Sequence, residues 1–136
     1  MYENPLGMGP EIAYFEGAGM SIHPADGHSL LRPEYVESLF VLWRVTGEQK
    51  WRDWGWDVAM AIQKHARVPK GGYASVNSVS AAHPELRDHM ESFFLAETLK
   101  YLLLLFSDSD VLPLDQYVLN TEAHPLPILR PAGARL

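Results

Sequence analysis

Apolar residues recur at helical spacing along the middle of the chain. After Pro33 they lie three or four positions apart until Thr46 and Gly47, which predicts a helix over 33–46. A second stripe predicts a helix over 51–67, although Gly55 costs about 1 kcal/mol relative to alanine. We expect an antiparallel hairpin of these two helices. The stripes are Val36, Leu39, Phe40 and Trp43, then Trp51, Trp54, Val58, Ala61, Ile62 and His65.

The third predicted helix, over about 87–106, is apolar around most of its circumference. Such a helix needs neighbours on several sides, and two partners can hardly surround it, so we expect the chain to be part of a larger domain. The fold class predicted is all-α, built from paired helices. The apolar residues are Met90, Phe93, Phe94, Tyr101, Leu102, Leu104 and Leu105.

The remaining segments show no sustained period. Residues 1–30 are rich in Gly and Pro and predict an irregular lead-in. Residues 68–83 predict a connecting loop with a short extended piece over 73–79. Segment 112–119 follows the third helix, and the Pro-rich stretch 124–136 predicts a tail without regular structure.

Composition and charge exclude several classes of function. The chain has 136 residues, a formal net charge of -6 and scattered basic residues, which disfavours nucleic-acid binding. Zero cysteines exclude disulfides, zinc-thiolate sites and thiol nucleophiles. No apolar run is long enough to span a membrane, and no targeting signal is visible at the start. No phosphate-binding glycine loop or Ser/His/Asp grouping can be recognised.

Acidic residues at three places in the sequence are candidates for a catalytic or metal-binding role. Glu97 lies inside the apolar stripe of the third helix, where a carboxylate is costly unless it is paired or near a metal. Thr121 and Glu122 stand together after that helix, and threonine can offer a hydroxyl and a carbonyl to a hard cation. Glu34 and Glu37 open the first helix, where acids also simply satisfy the helix dipole. The histidines lack metal-site spacing, and the tryptophans are spaced as packing residues.

Several sequence blocks, in order, resemble one enzyme family. They are GMGPEIAYF, MSIHPADGHSLLRPE with its continuation YVESLFVLWRVTGEQKWRDWGW, then GGYASVNSV, then HMESFFLAETLKYLLLLFSDSDVLPLDQYVLNTEAHPLPI, covering about residues 7–128. Together they look like the C-terminal part of a class I α-1,2-mannosidase, glycoside hydrolase family 47, and more like its endoplasmic-reticulum and fungal members. The resemblance implies that residues 1–136 form the C-terminal part of an (α/α)7 barrel, with 1–30 as lead-in and 129–136 as tail.

The resemblance also implies an activity and a location. Family members remove terminal α-1,2-linked mannose from high-mannose N-glycans, with inversion and one calcium ion, in the secretory pathway (endoplasmic reticulum or Golgi) or after secretion. By motif, Glu34 would be the catalytic base, Arg32 would contact the sugar and orient that base, and Phe93 would stack under the mannose ring. The family's general acid lies in earlier helices, so this chain alone is expected to be inactive.

For the calcium ion, the resemblance implies ligation by Thr121 through its hydroxyl and carbonyl. Glu97 and Glu122 would hold the ion's water shell, with Glu37 in support. Two rival hypotheses stay open at this point: a catalytically inactive mannose-glycan-binding or adaptor protein with the same fold, and a helical-hairpin interaction protein. The earlier part of the barrel, in a longer chain or a partner chain, is the expected protein partner.

Overall fold

Three helices and one π-helical segment form the centre of the structure, a computed structural model that describes residues 4–17 and 19–129. Helix α1 spans Glu34–Thr46, α2 spans Lys50–His65, and α3 spans Leu99–Phe106. A π-helical segment, Phe94–Thr98, leads directly into α3. The helices predicted over 33–46 and 51–67 are therefore confirmed, and they pack against one another and against α3.

Helix α1 begins and ends where its local residues require. The N–H of Glu37 donates to the carbonyl of Pro33 at 2.8 Å, which closes the first turn. Gly47 adopts φ 69° and donates its N–H to the carbonyl of Trp43 at 2.8 Å. A left-handed residue at this position favours glycine, because a side chain there would be strained.

The glycine inside α2 lets that helix approach α3 closely. Gly55 is buried, and a Cβ atom built on it would lie 2.3 Å from a methyl carbon of Leu105. The side chain of Leu105 is itself fully buried, so it has little room to withdraw. The glycine therefore lowers helix propensity but permits the packing of α2 on α3.

Two arginines from α1 and α2 hold the C-terminal end of α3. Arg52 donates to the carbonyl of Phe106 at 2.7 Å. Arg44 donates to the carbonyls of Ser109 and Val111, at 2.8 Å each, in the turn that follows. Carbonyls at a helix end lack partners within the helix, and cations suit that end of the dipole.

The third helix starts later than predicted. Residues 87–91 are not helical, and the helical conformation begins at Ser92. The N–H of Arg87 donates to the carbonyl of Ser75 at 2.8 Å, and the N–H of Ser75 donates to the carbonyl of His89 at 3.0 Å. Pairing with the extended stretch predicted over 73–79 thus satisfies backbone groups that a helix would have used. The prediction of helix over 87–91 is wrong.

Two small antiparallel sheets lie outside the helices. Strand β1, Tyr14–Glu16, pairs with β2, Gly19–Ser21, and a short 3-10 turn follows at Pro24–Asp26. Strand β3, Tyr117–Leu119, pairs with β4, Pro125–Pro127. The predicted irregular tail from 124 is therefore wrong over 125–127, while residues 130–136 lie outside the described part.

The all-α prediction is confirmed only in its coarse form. Helices supply most of the regular structure, the small sheets were not anticipated, and residues 4–17 and 19–129 do not form a closed barrel. Several apolar side chains on the helices face solvent, among them Val45 at 75% and Leu103 at 67% exposure. Within residues 4–17 and 19–129, no helix is both long and apolar enough to cross a bilayer.

Candidate active site

Glu97 lies buried in the π-helical segment. Its relative exposure is 7%, which confirms the predicted position within the apolar side of the third helix. The N–H of Leu99 donates to the carbonyl of Phe94, five residues earlier. A π-turn changes which side chains share a helix face, and such turns occur frequently at functional sites.

Three other carboxylates lie near Glu97. Burial raises the pKa of Glu97, and the negative charges of Glu122, Glu34 and Glu37 raise that pKa further, while the ammonium of Lys100 acts in the opposite direction. Because electrostatic interaction weakens with distance, these are the charged groups that act most on the buried acid. The start of α1, the π-helical segment and the loop after β3 therefore supply one acidic cluster, defined here as Glu34, Glu37, Glu97 and Glu122, whose charges act on Glu97.

A strained segment before α1 connects the cluster to the core. Leu31 is buried and adopts φ 61°, a conformation that costs energy for a residue with a side chain. Its carbonyl accepts a hydrogen bond of 2.7 Å from the hydroxyl of Thr98, which is also buried. Two residues earlier, Ser29 exchanges backbone hydrogen bonds of 2.8 Å with Val76 in both directions. These bonds hold the segment that leads into α1.

Arg32 lies beside Phe93. The guanidinium carbon is 5.4 Å from the ring centroid of Phe93. Its Nε donates to Oε2 of Glu11 at 2.5 Å, and this hydrogen bond is the main cause of the raised pKa of Arg32. A cation and an aromatic face side by side offer hydrogen-bond donors and a stacking surface to a ligand.

The two acids of α1 differ in their surroundings. Glu34 is exposed at the first turn of the helix. Glu37 is half-buried, and its Oε1 accepts a hydrogen bond of 3.3 Å from the hydroxyl of Tyr101. Burial, together with the charge of Glu37, raises the pKa of Tyr101 to about 12, so this phenol stays a donor at neutral pH. Glu34 is thus the α1 acid open to solvent.

Thr121 and Glu122 stand exposed in the loop that joins β3 to β4. The side-chain oxygen of Asn120 accepts the N–H of Glu122 at 3.0 Å, which forms a local turn. Ala123 is fully buried with φ 57°, and its carbonyl accepts a 3.0 Å hydrogen bond from Nζ of Lys100 on α3. The loop is therefore attached to α3 three residues beyond Glu97.

A cavity of about 440 Å³ opens beside the start of α1. Arg32, Glu34 and Glu11 contribute polar groups to its wall, whereas Thr121 and Glu97 do not line it. The predicted base and arginine therefore share a concave surface, and the predicted cation ligand, Thr121, lies outside its lining. The lining residues are Met8, Gly9, Pro10, Glu11, Ser29, Leu31, Arg32, Glu34, Tyr35, Val36, Val58, Ile62 and Thr98.

Direct coordination of a metal by several acidic or histidine side chains is not supported. In the described part of the chain, no group of three His, Cys, Asp or Glu residues is arranged to hold an ion.

The structure adds residues to the site that the sequence pattern did not reveal. Glu11 and Thr98 hold the segment before α1, Tyr101 contacts Glu37, and Lys100 with Asn120 holds the loop. Most of these contacts join residues far apart in sequence, where no periodic signal exists. Only the turn-forming character of Asn120 was visible locally.

Glycoside hydrolases use carboxyl groups as acid and base, and an exposed acid beside a cavity, as Glu34 is here, is compatible with such a role. The profile of glycosyl hydrolase family 47 matches residues 1–128. The chain therefore belongs to glycosyl hydrolase family 47, and the resemblance found in its motifs is confirmed.

Curated relatives and a solved structure agree with this membership. The endoplasmic reticulum mannosyl-oligosaccharide 1,2-alpha-mannosidase of Mus musculus is 56% identical over 134 residues, which cover 93% of this chain and 20% of that protein. A mannosyl-oligosaccharide 1,2-alpha-mannosidase of Arabidopsis thaliana is 52% identical over 149 residues, covering 96% and 24%. The alpha-1,2-mannosidase from Trichoderma reesei superposes with a TM-score of 0.72 at 40% identity, over 82% of this chain and 24% of that one. This chain thus spans about a fifth to a quarter of its relatives' length.

Proposed function

We propose that this chain carries the catalytic base and the calcium site of an α-1,2-mannosidase. The enzyme would remove terminal mannose from high-mannose N-glycans in the secretory pathway. The names of the mouse and plant relatives support the reaction and substrate, and the mouse name supports the compartment. The observation that carries the proposal is the buried carboxylate of Glu97, whose pKa is raised by burial and by the charges of Glu122, Glu34 and Glu37, beside a cavity lined by Arg32 and Glu34. The chain acts as the C-terminal part of the catalytic domain.

The acidic cluster fits a calcium ion. The negative charges that act on Glu97 outnumber the one cation, Lys100, that acts against them there, which favours a divalent cation, and calcium prefers oxygen ligands. Thr121 would ligate the ion through its hydroxyl and carbonyl, while Glu97 and Glu122 would accept hydrogen bonds from its water molecules. When bound, calcium supplies a fixed charge that orients water and sugar hydroxyl groups.

Glu34 is proposed as the general base. It is the exposed acid of α1 and faces the cavity, so it can take a proton from an attacking water molecule. Arg32 donates hydrogen bonds to the sugar and orients the carboxylate of Glu34, and Phe93 stacks under the mannose ring.

An inverting reaction needs a second carboxyl group on the other side of the sugar. Base and acid lie roughly 6.5 to 9.5 Å apart in such enzymes, which leaves room for the water molecule. The matched motifs of this chain include the base but not the general acid. We infer that another part of the domain supplies that acid, so the isolated chain binds glycan without cleaving it.

A binding experiment tests this proposal. A high-mannose glycan and the same glycan without its terminal α-1,2-linked mannoses are titrated into the chain, with calcium and with a chelator. We expect binding of the intact glycan in calcium only, and its loss in Arg32→Gln, with Glu16→Gln as a matched control on exposed strand β1. Equal binding of both glycans, or binding unaffected by chelation, would reject the proposed substrate site.

The alternative is a glycan-binding or adaptor protein with no catalytic role. Complementation separates the two: the preceding helices of a family 47 relative are added in trans, and mannose release is measured. Release that disappears in Glu34→Gln supports the enzyme. Glycan binding without any release in the assembled complex supports the adaptor.

A further inference from the structure

Glu11 connects two points of the segment that carries the proposed substrate-binding arginine. Its Oε1 accepts the backbone N–H of Leu30 at 2.8 Å, and its Oε2 accepts Nε–H of Arg32 at 2.5 Å. The intervening residue, Leu31, has φ 61°. We propose that Glu11 is a positioning residue that holds residues 30–32 in this strained conformation and so aims Arg32 at the sugar. The role rests on the proposed function, because it concerns the same mannose site.

The bonds of Glu11 are suited to holding a strained residue. One carboxylate binds donors on both sides of Leu31, so relaxation of that residue would break at least one charge-assisted hydrogen bond. The hydroxyl of Thr98 fixes the carbonyl of Leu31 from the other side at 2.7 Å. The conformation is therefore determined by contacts from two distant parts of the chain.

Glu11 is itself well fixed. Its backbone N–H donates to the carbonyl of His28 at 2.8 Å and to that of Asp26 at 3.1 Å. Its side chain is only 13% exposed, whereas that of Arg32 is 48% exposed. The acid is thus the anchored member of the pair, and the arginine is the member available to a ligand.

The hydrogen bond to Glu11 sets the direction of the Arg32 side chain. The bond to Glu11 engages Nε, and the guanidinium lies 5.4 Å from the ring centroid of Phe93. Glu11, Arg32 and Glu34 also line the same cavity. Without Glu11 the arginine would keep its charge but lose its defined direction, because a free arginine side chain samples many rotamers.

The first test uses NMR to detect the hydrogen bond between Glu11 and Arg32 in the absence of any ligand. In ¹⁵N-labelled chain, we expect the Arg32 Nε–Hε signal to be shifted and protected from exchange. Glu11→Gln should move it toward the free-arginine position, whereas Glu16→Gln should leave it unchanged. Glu11→Asp, which keeps the charge on a shorter side chain, should give an intermediate shift. An Arg32 signal that is the same in all variants would overturn the positioning role, whatever the chain binds.

The second test is a double-mutant cycle with methyl α-mannoside as the probe, on the calcium-loaded chain. We expect Glu11→Gln and Arg32→Gln each to weaken binding by about tenfold, and the double variant to be no weaker than Arg32→Gln alone. Additive losses would mean that Glu11 does not act through Arg32. If wild type does not bind the probe, the proposed substrate fails, while the NMR comparison still decides the role of Glu11.

Discussion

The two segments that carry the candidate site are held in different ways. The segment 27–33, before α1, is fixed by contacts from three other parts of the chain, namely Glu11, Val76 and Thr98. The loop 120–124, which carries Thr121, is exposed except for Ala123 and depends on its own turn and one lysine. The substrate side of the site is therefore preorganised by the fold, whereas the proposed cation side is not.

This difference indicates which of the two segments should respond to calcium. A segment that the core already holds becomes little more ordered when an ion binds. An exposed loop becomes more ordered, and the ion also offsets the negative charge of the neighbouring acids. Changes in the loop should therefore alter calcium binding more than stability. Changes before α1 should alter stability and sugar binding while leaving calcium binding in place.

The largest effect on calcium-induced stabilisation is expected from Glu97→Gln. The variant removes a buried negative charge that other acids surround, so the calcium-free chain should become more stable, by on the order of 1 kcal/mol, and calcium should no longer stabilise it. Because the pKa of Glu97 is raised on folding, calcium-free wild type should lose stability as pH rises from the ordinary carboxyl value through the raised one. Urea unfolding at several pH values, with and without calcium, measures the stability of the variant and the pH dependence of the wild type. Asp57→Asn is the exposed control. A calcium effect that persists in Glu97→Gln would contradict the cluster.

Thr98→Val should have the largest effect on the stability of the calcium-free chain. It keeps the side-chain shape but removes the buried donor to the carbonyl of Leu31, which should cost about 1–3 kcal/mol in urea unfolding. Ser107→Ala is the matched control, because its exposed hydroxyl also donates to a backbone carbonyl and should cost no more than about 0.5 kcal/mol. The calcium-induced stabilisation should survive in Thr98→Val. If it were lost, the two segments would not be independent.

Asn120→Ala should have a smaller effect on stability, about 0.5–1 kcal/mol, because the turn that it supports is exposed. Calcium affinity, measured by titration calorimetry, should nevertheless fall about tenfold, since the loop oxygens lose their arrangement. Asn120→Asp retains the acceptor oxygen and should keep the affinity. Equal affinity in wild type and Asn120→Ala would mean that the turn does not organise the proposed ligand.

Local periodicity predicted the parts of the fold that local forces determine. Helices α1 and α2 follow from stripes of apolar residues and from Gly47, and the burial of Glu97 follows from its place in such a stripe. The early start assigned to the third helix was wrong because Arg87 and its neighbours pair with residues distant in sequence. Strand β4 was missed because Pro125 and Pro127 disfavour a strand, although proline is tolerated at a sheet edge.

The candidate site was only partly predictable for the same reason. Motif resemblance pointed to Glu34, Arg32, Glu97 and Thr121, and the structure brings the acids of this set near one another, while their catalytic and metal-binding roles stay predictions. The residues that hold the site, such as Glu11, act through tertiary contacts and carry no spacing signal.

Calcium-dependent thermal unfolding of the chain and of Thr121→Val tests the central claim most directly. The variant keeps the size of the side chain and removes only the hydroxyl proposed as a ligand. We predict that calcium raises the melting temperature of wild type with saturation, corresponding to about 2.7 kcal/mol at a hundredfold excess over Kd, and that Thr121→Val loses most of this gain while Asp57→Asn keeps it. No stabilisation of wild type by calcium, or the same stabilisation in Thr121→Val, would contradict a cation site in the acidic cluster.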